Sequence, residues 1–227
     1  MVDSAAFLGF VRLVVAGNVE EVSGRVHTTP TLATMASPVG ASRQGPKGFF
    51  FTSIAHYLYA GDTALHMAAA AFRRPVAEIL VAHGADCRVR NRRGAVPLHY
   101  AADANHAAPD AQADVIAYLT SIGANPNALD KSGVAPLHRA VRTRSLSAVR
   151  ALLDGGADPR LRNKSGSTPL HLAVQNTGRG GSGSDAARRQ QAGIVQLLLE
   201  RGARPADTDA RGKKWIRTHF PGFSGGL

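Results

Sequence analysis

Apolar residues recur along this chain at helical spacing, and the helical stretches themselves recur. Val76, Ile79 and Leu80 fall on one face of a helix, and so do Val115, Ile116 and Leu119. Val149, Leu152 and Leu153 repeat the pattern, as do Ile194, Leu197 and Leu198. Ahead of each of the first three lies a shorter stretch with small residues at its centre: Ala68-Ala69, Ala101-Ala102 and Ala140-Val141. A small-residue helix can lie close to its neighbours, whereas a Leu/Val/Ile stripe must be covered. Each apolar stretch is followed by Gly-Ala: Gly84-Ala-Asp86, Gly123-Ala-Asn125, Gly156-Ala-Asp158 and Gly202-Ala-Arg204. Glycine there predicts a left-handed helix end. A further glycine, at Gly61, Gly94, Gly133 or Gly166, predicts a tight turn before the next short helix. The predicted unit is therefore turn, inner helix, outer helix and extended linker.

Two markers show that the units share a period. The tetrads Thr63-Ala-Leu-His66, Val96-Pro-Leu-His99, Ala135-Pro-Leu-His138 and Thr168-Pro-Leu-His171 place their histidines 33, 39 and 33 residues apart. The Gly-Ala closers are spaced by 39, 33 and 46. Both fit a base period of 33, with insertions of 6 and 13 residues in the second and fourth units. Pro at the start of three inner helices sits where its missing N–H costs nothing, and Thr63 and Thr168 can cap theirs. A two-helix unit of this size cannot bury its apolar faces alone, so the units must stack.

Thr168-Pro-Leu-His171-Leu172-Ala173, with its three phased counterparts and the Gly-Ala-Asp closers, resembles the ankyrin repeat. The resemblance implies an all-α solenoid of stacked helix–turn–helix units with β-turn or hairpin tips, and extends to standalone bacterial ankyrin-repeat proteins. Three regions are expected. Residues 1–47 form a degenerate N-terminal helical cap and a loop rich in Ser, Gly, Pro and Ala. Residues 48–204 hold the four clear repeats, an apolar lead-in and the two insertions. Residues 205–227 form a truncated capping repeat and tail: Asp209-Ala-Arg-Gly212 begins a fifth unit in which Arg217 replaces the histidine. The lead-in, Phe49–Phe51 and Ile54–Tyr59, is expected to shield the open end of the first full unit. Its other reading is an aromatic contact surface using Tyr57 and Tyr59.

Composition adds charge. Lys and Arg outnumber Asp and Glu by 27 to 16, a net +11. Such an excess draws acidic proteins or nucleic acid, and a generally arginine-rich composition produces the same number without either. Cys87 is the only cysteine, which excludes an intramolecular disulfide and a cysteine-based metal site within one chain. A reducing cytoplasm is the expected compartment. No apolar run approaches the roughly 18 residues of a membrane span. With Asp3 early, Arg12 interrupting the first apolar run and no basic residue ahead of it, no cleaved signal is expected.

Several residues invite catalytic or ligand chemistry. Equivalent histidines in stacked units stand roughly 10 Å apart, too far to share a zinc ion that binds nitrogen at about 2 Å. The resemblance instead implies structural roles for His66, His99, His138 and His171, each ring bonding across the turn region to a neighbouring backbone group. Gly178-Arg-Gly180-Gly-Ser-Gly183 has dinucleotide-fingerprint spacing but lies in the second insertion, with no preceding strand. It reads as a loop. Arg88 and Arg90 could lower the pKa of Cys87, yet no histidine is placed to work with it. No catalytic set emerges, and neither an enzymatic activity nor a cofactor is expected.

What remains is binding. In stacks of this kind the turn tips and inner helices line one concave face. The basic candidates there are Arg90, Arg92 and Arg93, then Lys131, then Arg139, Arg142 and Arg144, then Arg162 and Lys164, and finally Arg211 and Lys213. The expected function is a protein-binding module, monomeric on its own, whose partner presents an acidic surface to these arginines. The alternative is electrostatic nucleic-acid binding. Against it, no helix carries a dense basic stripe and no aromatic residues interleave with the arginines as stacking platforms. The insertions, around Asn105 and from Thr177 to Gly193, read as lengthened loops or as an added binding edge.

Overall fold

The computed structural model describes residues 3–42, 45, 47–103, 108–174 and 184–207. The fingerprint-like Gly178–Gly183 stretch, the start of the fifth unit at Asp209, Arg211 and Lys213 lie outside them. The chain begins with α1 (Ser4–Ala16) and α2 (Val19–Thr28). The Asp3 carboxylate accepts from Ala6 N–H at 2.7 Å, and the Asn18 side chain accepts from Glu21 N–H at 3.1 Å. Each thereby satisfies a donor that its helix leaves open at the first turn. A single turn, α3 (Thr31–Thr34), follows. Residues 36–41 then run beside the first tip, and β1 (Phe50–Phe51) pairs antiparallel with β2 (His56–Tyr57).

The four clear units come next, each a short inner helix and a longer outer one. They are α4 (Ala64–Ala70) with α5 (Arg74–Ala82), and α6 (Pro97–Asp103) with α7 (Pro109–Ser121). Then come α8 (Pro136–Thr143) with α9 (Leu146–Asp154), and α10 (Pro169–Ala173) with α11 (Asp185–Glu200). The inner helices α4, α6, α8 and α10 pack in series, and so do the outer helices α5, α7, α9 and α11. Ala68, Ala69, Ala101, Ala102 and Ala140 are wholly buried between the inner helices. The outer stripes, from Val76 to Leu198, join them in one apolar core that runs the length of the stack.

That core does not end at the first clear unit. α1 packs on α4 and α2 packs on α5, so this pair adds a layer. Phe7, Phe10, Val11 and Val14 are buried in it. The end of the first clear unit is thus closed by α1 and α2, which leaves the lead-in another place to go. Ser37 N–H donates to Asp62 O at 2.7 Å and Gly61 N–H to Ser37 O at 2.8 Å, fastening the strand-like 36–41 segment to the first tip. The β1–β2 hairpin leans over the inner helices, with the His56 ring 4.5 Å from that of Tyr100 on α6. Phe49 and Phe51 are half-buried, while Phe50 is 38% exposed and meets Tyr57 ring to ring at 4.6 Å.

The tips pack directly on one another. Gly61, Gly94 and Gly133 have φ of +86°, +76° and +68°. A methyl group on each would stand 2.8, 2.9 and 2.8 Å from the backbone nitrogen of Arg92, Lys131 and Lys164, the next tip along. Arg92 N–H donates to Ala60 O, and Lys131 N–H to Arg93 O. Glycine is required here twice, for its conformation and for the room it leaves.

Candidate protein-binding face

The histidines hold this face to the stack. The backbone N–H of Thr63 donates to His66 Nδ1 at 3.1 Å, and those of Val96, Ala135 and Thr168 donate to His99, His138 and His171 Nδ1 at 3.2, 3.3 and 3.2 Å. A backbone amide can only donate, so each Nδ1 carries its lone pair and the neutral ring has its proton on Nε2. From there the proton reaches the next unit: His66 Nε2–H to Ala95 O at 3.1 Å, His99 to Val134 O at 2.9 Å, and His138 to Ser167 O at 3.1 Å. Burial pushes His66 and His99 down to about 4 and lowers His138 as well, keeping them neutral bridges. His171 Nε2 is buried with no hydrogen-bond partner among the described residues; by the period its acceptor would lie near Lys213, outside them.

The tips are shaped by Asn91, Asp130 and Asn163, three residues before each turn glycine. Asn91 Oδ1 accepts from Arg93 and Ala95 N–H at 2.9 and 3.0 Å. Asp130 Oδ1 accepts from Ser132 and Val134 at 2.8 and 3.0 Å, and Asn163 Oδ1 from Ser165 and Ser167 at 2.9 and 3.0 Å. A short polar side chain thus folds each turn around its own oxygen. The inner helix then grips the tip of its own unit. Tyr100 Oη lies 2.9 Å from Asn91 Nδ2 and donates to Asp62, and Arg139 Nη2–H donates to Asp130 Oδ2 at 2.7 Å.

Asp62 is the deepest of these groups, with no exposed surface. It accepts from Tyr100 Oη at 2.7 Å, Asn91 Nδ2 at 2.8 Å and Tyr59 N–H at 2.6 Å. Burial pushes its carboxyl up to about 6 against the opposing pull of these donors.

The basic candidates separate once their contacts are known. Arg139 is withdrawn from the surface: its side chain is 11% exposed, and it pairs with Asp103 at 3.1 Å and Asp130 at 2.7 Å. Its expected place in the contact set is corrected accordingly, since any partner would have to break two ion pairs to use it. Arg142 shares Asp103 at 3.0 Å but remains 63% exposed. Arg90 Nη1–H latches two tips, donating to Gly94 O at 2.8 Å and Leu129 O at 2.6 Å. Arg162 makes the first of these bonds in the fourth unit, to Gly166 O at 2.8 Å, and Lys164 Nζ donates to Lys131 O. Arg144 is a half-buried left-handed residue, φ +60°, ending α8. Arg92, Arg93 and Lys131 are exposed, stand at consecutive tips and make no ion pair among the described residues.

Arg93 does have one neighbour that the sequence concealed. Its guanidinium lies over the Tyr59 ring at 4.8 Å, a cation–π contact between residues of different units. Tyr57 continues this surface, 6.1 Å from Tyr59 ring to ring. An aromatic residue therefore does stand among the arginines, contrary to the expectation from sequence. Behind it, His56, Tyr57, Tyr59, Arg93, Asp103 and Arg139 help bound a cavity of about 210 Å³. Burial lowers His56, whose Nδ1–H donates to Tyr57 O at 2.9 Å.

Elsewhere, Cys87 is buried, and desolvation together with Asp86 raises its thiol despite Arg88, which pairs with Asp86 at 3.0 Å. Among the described residues no three His, Cys, Asp or Glu side chains are placed to hold a metal ion. No described helix is long and apolar enough to cross a membrane. Two family models match the chain: one describing ankyrin repeats in three copies, over residues 105–209, and one describing ankyrin repeats in many copies, over residues 51–101.

Proposed function

The chain belongs to the ankyrin-repeat family, whose repeats are non-catalytic scaffolds, and we propose that it binds an acidic segment of a partner protein along its second and third tips. The observation that carries this reading is the row of exposed cations, Arg92, Arg93 and Lys131, that form no ion pair among the described residues. Of the neighbouring bases, Arg139 and Arg142 are held by Asp103 or Asp130 and Arg90 by backbone carbonyls. The three cations stand on backbones tied together by Arg92 N–H to Ala60 O and Lys131 N–H to Arg93 O. Fixing those backbones beforehand lowers the ordering cost of binding. Arg142, still largely exposed above Asp103, extends the same side.

The reading is tested with fluorescein-labelled peptides, one rich in Glu and Asp and one uncharged, by fluorescence anisotropy against the full chain. Exposed charge contacts contribute about 0.2–1 kcal/mol each. Arg92→Ala/Arg93→Ala/Lys131→Ala should therefore weaken the acidic peptide about 3- to 150-fold and leave circular dichroism unchanged. Unchanged affinity in the triple variant refutes the proposal. A single-stranded oligonucleotide that binds more tightly than the acidic peptide, with a steep salt dependence, favours the nucleic-acid alternative.

A further inference from the structure

The cavity between the β1–β2 hairpin and the inner helices presents a particular combination of unused groups. His56 donates from Nδ1 to Tyr57 O, so the neutral ring keeps a lone pair on Nε2, for which the described residues supply no donor. Its ring packs against that of Tyr100 at 4.5 Å, tilted by 42°. Arg93, also lining the cavity, has its guanidinium over Tyr59 and no acceptor for its guanidinium N–H groups among the described residues. Asp103 supplies further acceptor capacity, since each of its oxygens takes one guanidinium N–H, from Arg139 and Arg142. The walls thus offer donors and acceptors together, with one uncompensated positive charge at the rim.

A carboxylate entering here would meet Arg93 favourably but would face the His56 lone pair and the Asp103 carboxylate. An ammonium would meet the reverse. A carboxamide has an oxygen for the guanidinium and two N–H donors for His56 Nε2 and Asp103, so it complements both kinds of wall without a buried charge. At about 210 Å³ the cavity is smaller than the roughly 300–1,000 Å³ of a small-molecule site and is the size for one side chain. We infer that this cavity is a recognition pocket for a single glutamine or asparagine side chain, its carboxamide held between Arg93 and His56. The inference deepens the proposed tip-binding reading, placing an uncharged anchor beside the acidic segment. It rests on that reading only for the identity of the ligand as part of a protein.

The test does not depend on binding by an acidic peptide. The ¹⁵N-labelled full chain is titrated with N-acetylglutamine methylamide, and separately with the corresponding glutamate and norvaline compounds, at pH 7.5. The His56 Nε2 resonance reports directly on acceptance of a hydrogen bond. The glutamine compound should move it upfield, short of the protonated position, with saturation at about millimolar concentration for so small a ligand. Norvaline should leave it in place. His56→Phe keeps a ring against Tyr100 and should abolish binding, read from the neighbouring amide resonances. Arg93→Met should weaken binding at least several-fold in a chain whose circular dichroism is unchanged. No shift with the glutamine compound, or an equal shift with norvaline, overturns the pocket while leaving the acidic-segment reading standing. A shift to the protonated position with the glutamate compound also overturns the carboxamide assignment and makes the cavity a carboxylate site.

Discussion

Lowering the pH from about 7.5 to about 5 should destabilise this protein, and the histidine bridges set the size of the effect. His66 and His99 are neutral, buried links between units, with folded pKa values near 4. In the unfolded chain they titrate near 6.5. Between those values the unfolded state binds more protons, so stability present above about pH 6.5 is lost as the pH falls. At pH 5 the loss is fixed mainly by the unfolded value, since the folded rings are still mostly neutral. It amounts to about 2 kcal/mol for each histidine. His138 and His56, also lowered by burial, act in the same direction.

Asp62 acts oppositely. Its carboxyl, pushed up to about 6, takes up a proton in the folded state before the unfolded one does, which returns about 1 kcal/mol by pH 5. Asp130 and Asp86 are held below the ordinary carboxylate range by the Arg139 and Arg88 contacts, so their contributions are lost only below about pH 4. For His66, His99 and Asp62 together the net loss is about 2–3 kcal/mol, a large part of the stability of an ordinary domain. Urea unfolding followed by far-ultraviolet circular dichroism at the two pH values measures it. His99→Gln, which cannot titrate, should reduce the loss by about 2 kcal/mol. Stability that stays level or rises on acidification, or a pH dependence untouched by His99→Gln, would refute the argument.

The same unfolding assay reads single bridges and turns. His138→Ala removes the bridge to Ser167 O and should cost about 1 kcal/mol or more. Glycines divide by their surroundings. Gly133→Ala forces a methyl group to within 2.8 Å of Lys164 N at positive φ and should cost more than about 1 kcal/mol. Gly24→Ala, in α2 with open space around it, should stabilise by about 0.5–1 kcal/mol. Equal midpoints for the two glycine variants would remove the tip-packing explanation.

What the sequence could and could not disclose follows from how repeats encode structure. A period reports what the units have in common, and the common features are the backbone and the core. The apolar stripes, the tip glycines and the histidines recur because every unit must stack in the same way, so these were legible from spacing alone. Contacts of the candidate face join residues that the period does not relate. Arg139 meets Asp130 nine positions away and Asp103 thirty-six away. Tyr59 meets Arg93 only because one tip hydrogen-bonds to the next.

The usable signal was departure from the pattern. Asp62 follows its turn glycine where the other units have Ala95, Val134 and Ser167. A carboxylate at a position otherwise filled by small or apolar residues, and here wholly buried, requires donors, and Tyr100 and Asn91 answer it from the next unit. Tyr100 occupies the inner-helix position held by Met67, Arg139 and Leu172 elsewhere. The same position thus carries an apolar plug in two units and a polar hook to the tip in the other two. Charge counted along the tips therefore overstated the basic face, because Arg139 belongs to the hook that shapes the tip. Arg92, Arg93 and Lys131 remain because their units already have other means of holding the turn. In this stack, residues become available to a partner where the tip no longer needs them for its own structure.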